Sequence, residues 1–165
     1  MFYSYFRCGK KHLMYETLII LHTYIRWLVL GSLLFATYRA YKGSVSKSIF
    51  TKTDNAVRHW TATIVHIQLL IGLVLYFKSP VIKYFWANRK EAAMNIDFTF
   101  FGLIHASLML IAIVMITIGS AMAKRKQTDR EKFKTLRLWF SLSLIIIFIA
   151  IPWPFSPLAN RPYYR

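Results

Sequence analysis

The sequence predicts an all-α membrane protein, a four-transmembrane-helix bundle with up-down-up-down topology. Three observations carry this. Of the 165 residues, 56% are hydrophobic and 17% aromatic, beyond the usual range for a soluble domain. Four apolar runs, at about 17–38, 57–77, 98–123 and 136–153, each approach the roughly 20 helical residues that cross a hydrocarbon core about 30 Å thick. The links between them run to about 20 residues at most, so successive spans are antiparallel neighbours and no soluble domain fits. In that arrangement spans one and three are diagonal partners, as are two and four.

The opening segment, MFYSYFRCGKKHL (1–13), is basic and aromatic without a clean helical period, which suits an anchor in the headgroup zone. It also fits an extension upstream of a start at Met14, where MYETLII begins. The single cysteine, Cys8, excludes an internal disulfide and a cysteine-based zinc site. The transmembrane domain occupies 14–155, followed by a short tail, 156–165. With no cleavable signal pattern, the first span itself is expected to direct insertion.

After the first span, YRAYKGSVSKSIFTKTDNAVRH reads as a solvated link, with Asp54 or Asn55 expected to cap the second helix. Ser79 and Pro80 end that helix, and VIKYFW suits an interfacial patch. Asp97 is placed to cap the third span. AKRKQTDREKFKT mixes charge signs and is expected to prolong the third and fourth helices beyond the membrane. Pro152, Pro154 and Pro157 stop the fourth helix, with Trp153 at the interface.

The formal net charge is +16. The basic residues flank the spans instead of forming one face, so the partners expected are anionic lipid headgroups and no nucleic acid. The links after spans one and three hold twelve Lys and Arg, against nine in the termini and middle link. The positive-inside rule then puts both termini outside.

Three histidines fall within spans: His22, His66 and His105. Polar groups in hydrocarbon need partners, so each is a candidate functional residue. Counting the helical rise from the outer ends puts His22 about 8 Å deep, His105 about 10 Å and His66 about 16 Å. His22 and His105 match, on diagonal helices, which is the geometry for two axial nitrogens on one haem iron. Gly31, Ser32, Gly72 and Gly102 offer places where a flat macrocycle can approach backbone, although small residues equally serve helix packing. Arg26, one turn from His22, has no Asp or Glu within any span, so its expected partner is a haem propionate or a quinone oxygen; the alternatives are snorkelling or a helix carbonyl. His66, with Gln68 nearby, is an alternative ligand, a propionate donor or a proton-handling group at a quinone site. His59 reads as interfacial. A zinc or di-iron site would bring carboxylates, and the spans have none. The methionines and end-of-span tryptophans read as packing and belt residues.

LHTYIRW in the first span, HIQLLIGLVLYF in the second, IHASLMLIAIVMITIG in the third and AIPWPF at the end together resemble small bacterial four-span membrane proteins described as b-type cytochromes. The resemblance covers Met14 to about Phe155. It implies a haem protein in which His22, His66 and His105 match the intramembrane histidines and Arg26 the first-span arginine. Members of that family usually begin at the equivalent of Met14 and often carry an acid where this chain has Ile104. The expected function is a membrane-embedded electron-transfer subunit with one haem b, held by His22 and His105 with His66 as alternative ligand. It would exchange electrons with quinol and a redox partner subunit in the bacterial cytoplasmic membrane. It is more an electron carrier than a complete enzyme, since the chain has no flavin or nicotinamide motif. The other readings are a non-redox structural or assembly subunit and a small transporter.

Overall fold

Buried residues recur at alternating intervals of four and three along every long helix. The computed structural model describes residues 2–153, with side chains from residue 13 onward. The expectations for the Cys8 side chain, Pro154, Pro157 and the tail fall outside what is described. Helix α1 spans Phe2–Ser46, α2 Lys52–Lys78, and the short helices α3, α4 and α5 Pro80–Ala87, Arg89–Ala92 and Ile96–Thr99. A π-helical turn, Phe100–Ile104, leads into α6 (His105–Arg125), and α7 is Asp129–Ala150. Among the described residues there are no strands.

Four of these segments are long and apolar enough to cross a membrane: Leu13–Ser46, Lys52–Lys78, Ile96–Arg125 and Asp129–Ala150. The protein is a multi-pass, all-α four-helix bundle. Neighbouring helices pack as α1 on α2, α2 on α6, α6 on α7 and α7 back on α1, with α1 and α6 on one diagonal. The buried stripe of α7 is Phe133, Leu136, Phe140, Ser143, Ile147 and Ala150. On α1 it includes Val29, Leu33, Ala36, Ala40 and Gly43, and on α6 Ala112, Ile116, Gly119 and Ala123. Spacing by three and four keeps one seam of each helix turned to its neighbours, the pattern of side-by-side helical packing. The rest of the surface is large and apolar, including Leu28, Leu34, Leu70, Val114 and Ile145, as a lipid-facing surface must be.

The helices outrun the expected spans. α1 continues unbroken through the segment before Met14, and its 45 residues extend about 68 Å, twice the core thickness. The link after α6 is three residues, as the mixed charges of that segment anticipated. Two caps differ from expectation. Thr51, not Asp54 or Asn55, caps α2: its hydroxyl accepts from the Asp54 N–H while the Asp54 carboxylate accepts from the Thr51 N–H, a reciprocal capping box. Asn95, not Asp97, caps α5, accepting from the N–H groups of Asp97 and Phe98.

The link expected to be solvated is instead clasped to the bundle. The buried Asp54 carboxylate accepts from Arg39 Nε at 2.8 Å and Nη2 at 2.7 Å, tying α2 to α1. Arg58, also buried, donates from Nη1 to the Ser120 hydroxyl at 2.6 Å and from Nε and Nη2 to Asn55 Oδ1, tying α2 to α6. Both clasps lie at the end of the bundle with the two basic links. At the opposite end α3 folds over the bundle, with Phe85 and Ile82 buried. Ser79 both ends α2 and caps α3, with Pro80 at the first helical position.

Candidate functional site

The seven-residue seam sorts the polar residues of the spans. On α1 the series Gly43, Ala40, Ala36, Leu33, Val29 continues by the same intervals to Arg26 and His22. On α6 the series Ala123, Gly119, Ile116, Ala112 continues to Met109 and His105. On α2 Asp54, Arg58, Thr61 and Val65 continue to Gln68 and Gly72. His22, Arg26, Gln68 and His105 therefore share the inward seam, whereas His66, one position from Val65, falls off it and is exposed.

Contacts put the two seam histidines at similar depth. The His22 ring lies against Gly72, where an added Cβ would stand 3.2 Å from Cε1. Tyr76, four residues beyond Gly72, donates to the Gly102 carbonyl at 2.9 Å, and Gly102 precedes His105 by three residues. Gly72 is thus about 6 Å inward of Tyr76 and His105 about 4.5 Å inward of Gly102, so the two histidines fall in the same outer part of the bundle. His22, Arg26 and His105 are near enough to one another to interact electrostatically.

Each has a distinct setting. His105 directly succeeds the π-helical turn, and its own N–H bonds the Phe100 carbonyl five residues back. Such a turn inserts one residue into the helix and re-aims the side chains beyond it. His105 Nδ1 is 2.7 Å from the Ala150 carbonyl of α7, and its ring is flanked by Phe100 and Phe101. A carbonyl only accepts, so Nδ1 carries the proton and Nε2 keeps its lone pair, the state in which imidazole binds a metal. His22 Nδ1 is buried with no hydrogen-bond partner, while its main-chain carbonyl accepts from Gln68 Nε2 at 2.9 Å. The Arg26 guanidinium lies 5.4 Å from the Trp27 ring centroid, and Trp27 meets Trp153 edge-on at 5.9 Å. The Trp153 indole N–H donates back to the Phe148 carbonyl at 2.8 Å.

His66 is not brought to this group. Its Nδ1 lies 2.6 Å from the Ala62 carbonyl and its Nε2 3.2 Å from the Thr117 hydroxyl. Thr117 is twelve residues past His105, about 18 Å along α6. His66 thus bridges α2 to α6 on the lipid-facing surface, deep to the other two. His59 is exposed beside Trp60 near the basic end.

Of the glycines singled out in the sequence, two are covered by side chains and one is open. Gly72 is covered by His22 and Gly102 by Phe85, whose ring would stand 2.6 Å from an added Cβ. Gly31 faces open space on the exposed surface. Among the described residues no three His, Cys, Asp or Glu gather into a metal-binding group. Gln68 is the site residue that sequence reasoning undervalued; the seven-residue seam was the signal that would have placed it beside His22. Compared with models of known families, with curated proteins and with solved structures, the chain matches none, so its function is argued from these residues alone.

Proposed function

We propose that the protein is a membrane-embedded, b-type haem electron carrier, with His22 and His105 as the axial ligands of one haem. The observation that carries this reading is the pairing of two level, inward-facing imidazoles on diagonal helices, one with its Nδ1 proton engaged by a carbonyl so that Nε2 is free to ligate. His22, on the same seam, supplies the second imidazole, with no protein hydrogen bond made by its buried Nδ1. Arg26 brings a positive charge to this level, suited to a propionate or a quinone oxygen. When bound there, haem would supply reversible one-electron transfer between a membrane quinol and a redox partner subunit. Phe100 and Phe101 flank the His105 ring with apolar surface, and Phe85 covers Gly102 one turn outward. With basic links inside, both termini face outward from a bacterial cytoplasmic membrane.

The test is a dithionite-reduced minus oxidised absorbance spectrum of the detergent-solubilised protein, expressed with adequate haem. A haem band is expected, lost in His22→Ala and His105→Ala and kept in His66→Ala. No band sinks the proposal. A band kept in both His22→Ala and His105→Ala but lost in His66→Ala sinks the ligand pairing. A second reading, a non-redox structural subunit, is favoured by the glycine clefts filled with the protein's own side chains and by the His66–Thr117 bridge. It predicts no band and a loss of stability in each variant.

A further inference from the structure

Two buried polar atoms that face no partner belong to residues already in contact. Gln68 and His22 meet across the α1–α2 seam, where Gln68 Nε2 donates to the His22 carbonyl. The other amide atom, Gln68 Oε1, is buried without a hydrogen bond, and so is His22 Nδ1. These two are chemically complementary: an amide oxygen only accepts, and an imidazole nitrogen donates when protonated. Left apart, each forfeits the desolvation of a buried polar group, and a bond between them would satisfy both.

We propose that Gln68 is the positioning residue for His22, its Oε1 accepting the Nδ1 proton directly once the amide turns about its anchored Nε2, or through one buried water. Its Nε2 anchors the amide on the His22 main chain, so the side chain spans its target with one fixed end. The consequence is tautomeric. With its proton held at Nδ1, His22 presents the Nε2 lone pair, the counterpart of what Ala150 does for His105. The two imidazoles are then poised alike by different groups: a main-chain carbonyl on α7 and a side-chain amide on α2. The inference rests on the proposed ligand role for what it means, though its central measurement needs no haem.

The full chain, haem-free in lipid nanodiscs with 15N-labelled histidine, is examined by NMR, and His22 is assigned by its loss in His22→Ala. Neutral His22 is expected to carry its proton on Nδ1. Gln68→Met, similar in volume but without an acceptor, is expected to move it to Nε2, and Gln68→Glu, which keeps an acceptor, to hold it on Nδ1. A wild-type proton on Nε2, or an Nδ1 proton unmoved in Gln68→Met, overturns the inference. If Gln68→Met does not fold, Gln68→Asn, which withdraws the amide by one methylene, takes its place with the same expectations. In haem-loaded protein Gln68→Met should weaken haem binding about tenfold, the scale on which lost outer-shell hydrogen bonds act, and raise the midpoint potential by making His22 a poorer donor. Unchanged affinity and potential overturn the inference. Absence of haem in every variant overturns the proposed function and leaves the tautomer measurement to decide the role of Gln68.

Discussion

Replacing Asp54 by Ala removes a junction that serves two helices at once, and its cost can be worked from the contacts. The carboxylate is 6% exposed and accepts from Thr51 N–H at 2.9 Å, the Thr51 hydroxyl at 2.6 Å and two atoms of the Arg39 guanidinium. Loss of its half of the capping box costs about 1 kcal/mol. Breaking a fully buried ion pair costs about 3–5 kcal/mol in general, but Arg39 is one-third exposed and recovers hydration, so about 2 kcal/mol is the fitting figure here. The sum is about 3 kcal/mol, a large fraction of the ~5–15 kcal/mol stability of a typical fold. Reversible unfolding by SDS titration from mixed micelles measures it. Thr51→Ala, which spares the ion pair, should cost about 1–2 kcal/mol. In a double-mutant cycle Arg39→Ala and Asp54→Ala should couple by more than about 1 kcal/mol. A cost for Asp54→Ala no greater than for Thr51→Ala, with coupling below about 0.5 kcal/mol, would refute the view that this link is clasped to the bundle.

The same assay gives four further expected outcomes. Gly31→Ala meets nothing within 4 Å and should stabilise by about 0.5–1 kcal/mol through helix propensity, whereas Gly119→Ala drives a methyl into Trp139 and should destabilise by about 1–3 kcal/mol net. Tyr76→Phe removes both the bond to the Gly102 carbonyl and the acceptor for the Trp86 indole at 2.9 Å, so a loss of about 1–2 kcal/mol and a shift in tryptophan fluorescence are expected. Arg58→Met should stay within about 1 kcal/mol of wild type, because the guanidinium is buried against the neutral Asn55 and Ser120 and the lost hydrogen bonds are offset by relief of its desolvation.

The four spans were legible because length and hydropathy are summed over some twenty residues, and no single position decides them. The diagonal placement of α1 and α6 could be reached from short links alone. Details that depend on one contact were not legible. Arg39 and Arg58 read as solvated charges because link sequence says nothing about which cation a buried Asp54 or Ser120 will hold. Asp54 and Asp97 looked like caps, and each instead lies two or three positions after the residue that caps, Thr51 and Asn95. The inward direction of His22 and His105 was open to a count by sevens, and so was the outward direction of His66. That count also puts Gly72 on the seam, where its small size admits the His22 ring, the packing role that small residues equally serve.

The π-helical turn before His105 separates α6 in angular terms from the residues leading into it. One extra residue rotates everything outward of it by about 100° relative to a regular helix, so the two halves of span three keep independent phase. The outer half is set by Phe85 on Gly102 and by Tyr76, the inner half by the seam against α7. Substitutions in α3 can therefore shift the wall above His105 without turning the imidazole away from Ala150. Deleting one residue between Phe100 and Ile104 would force a choice, leaving either the outer cap or the inner seam out of register.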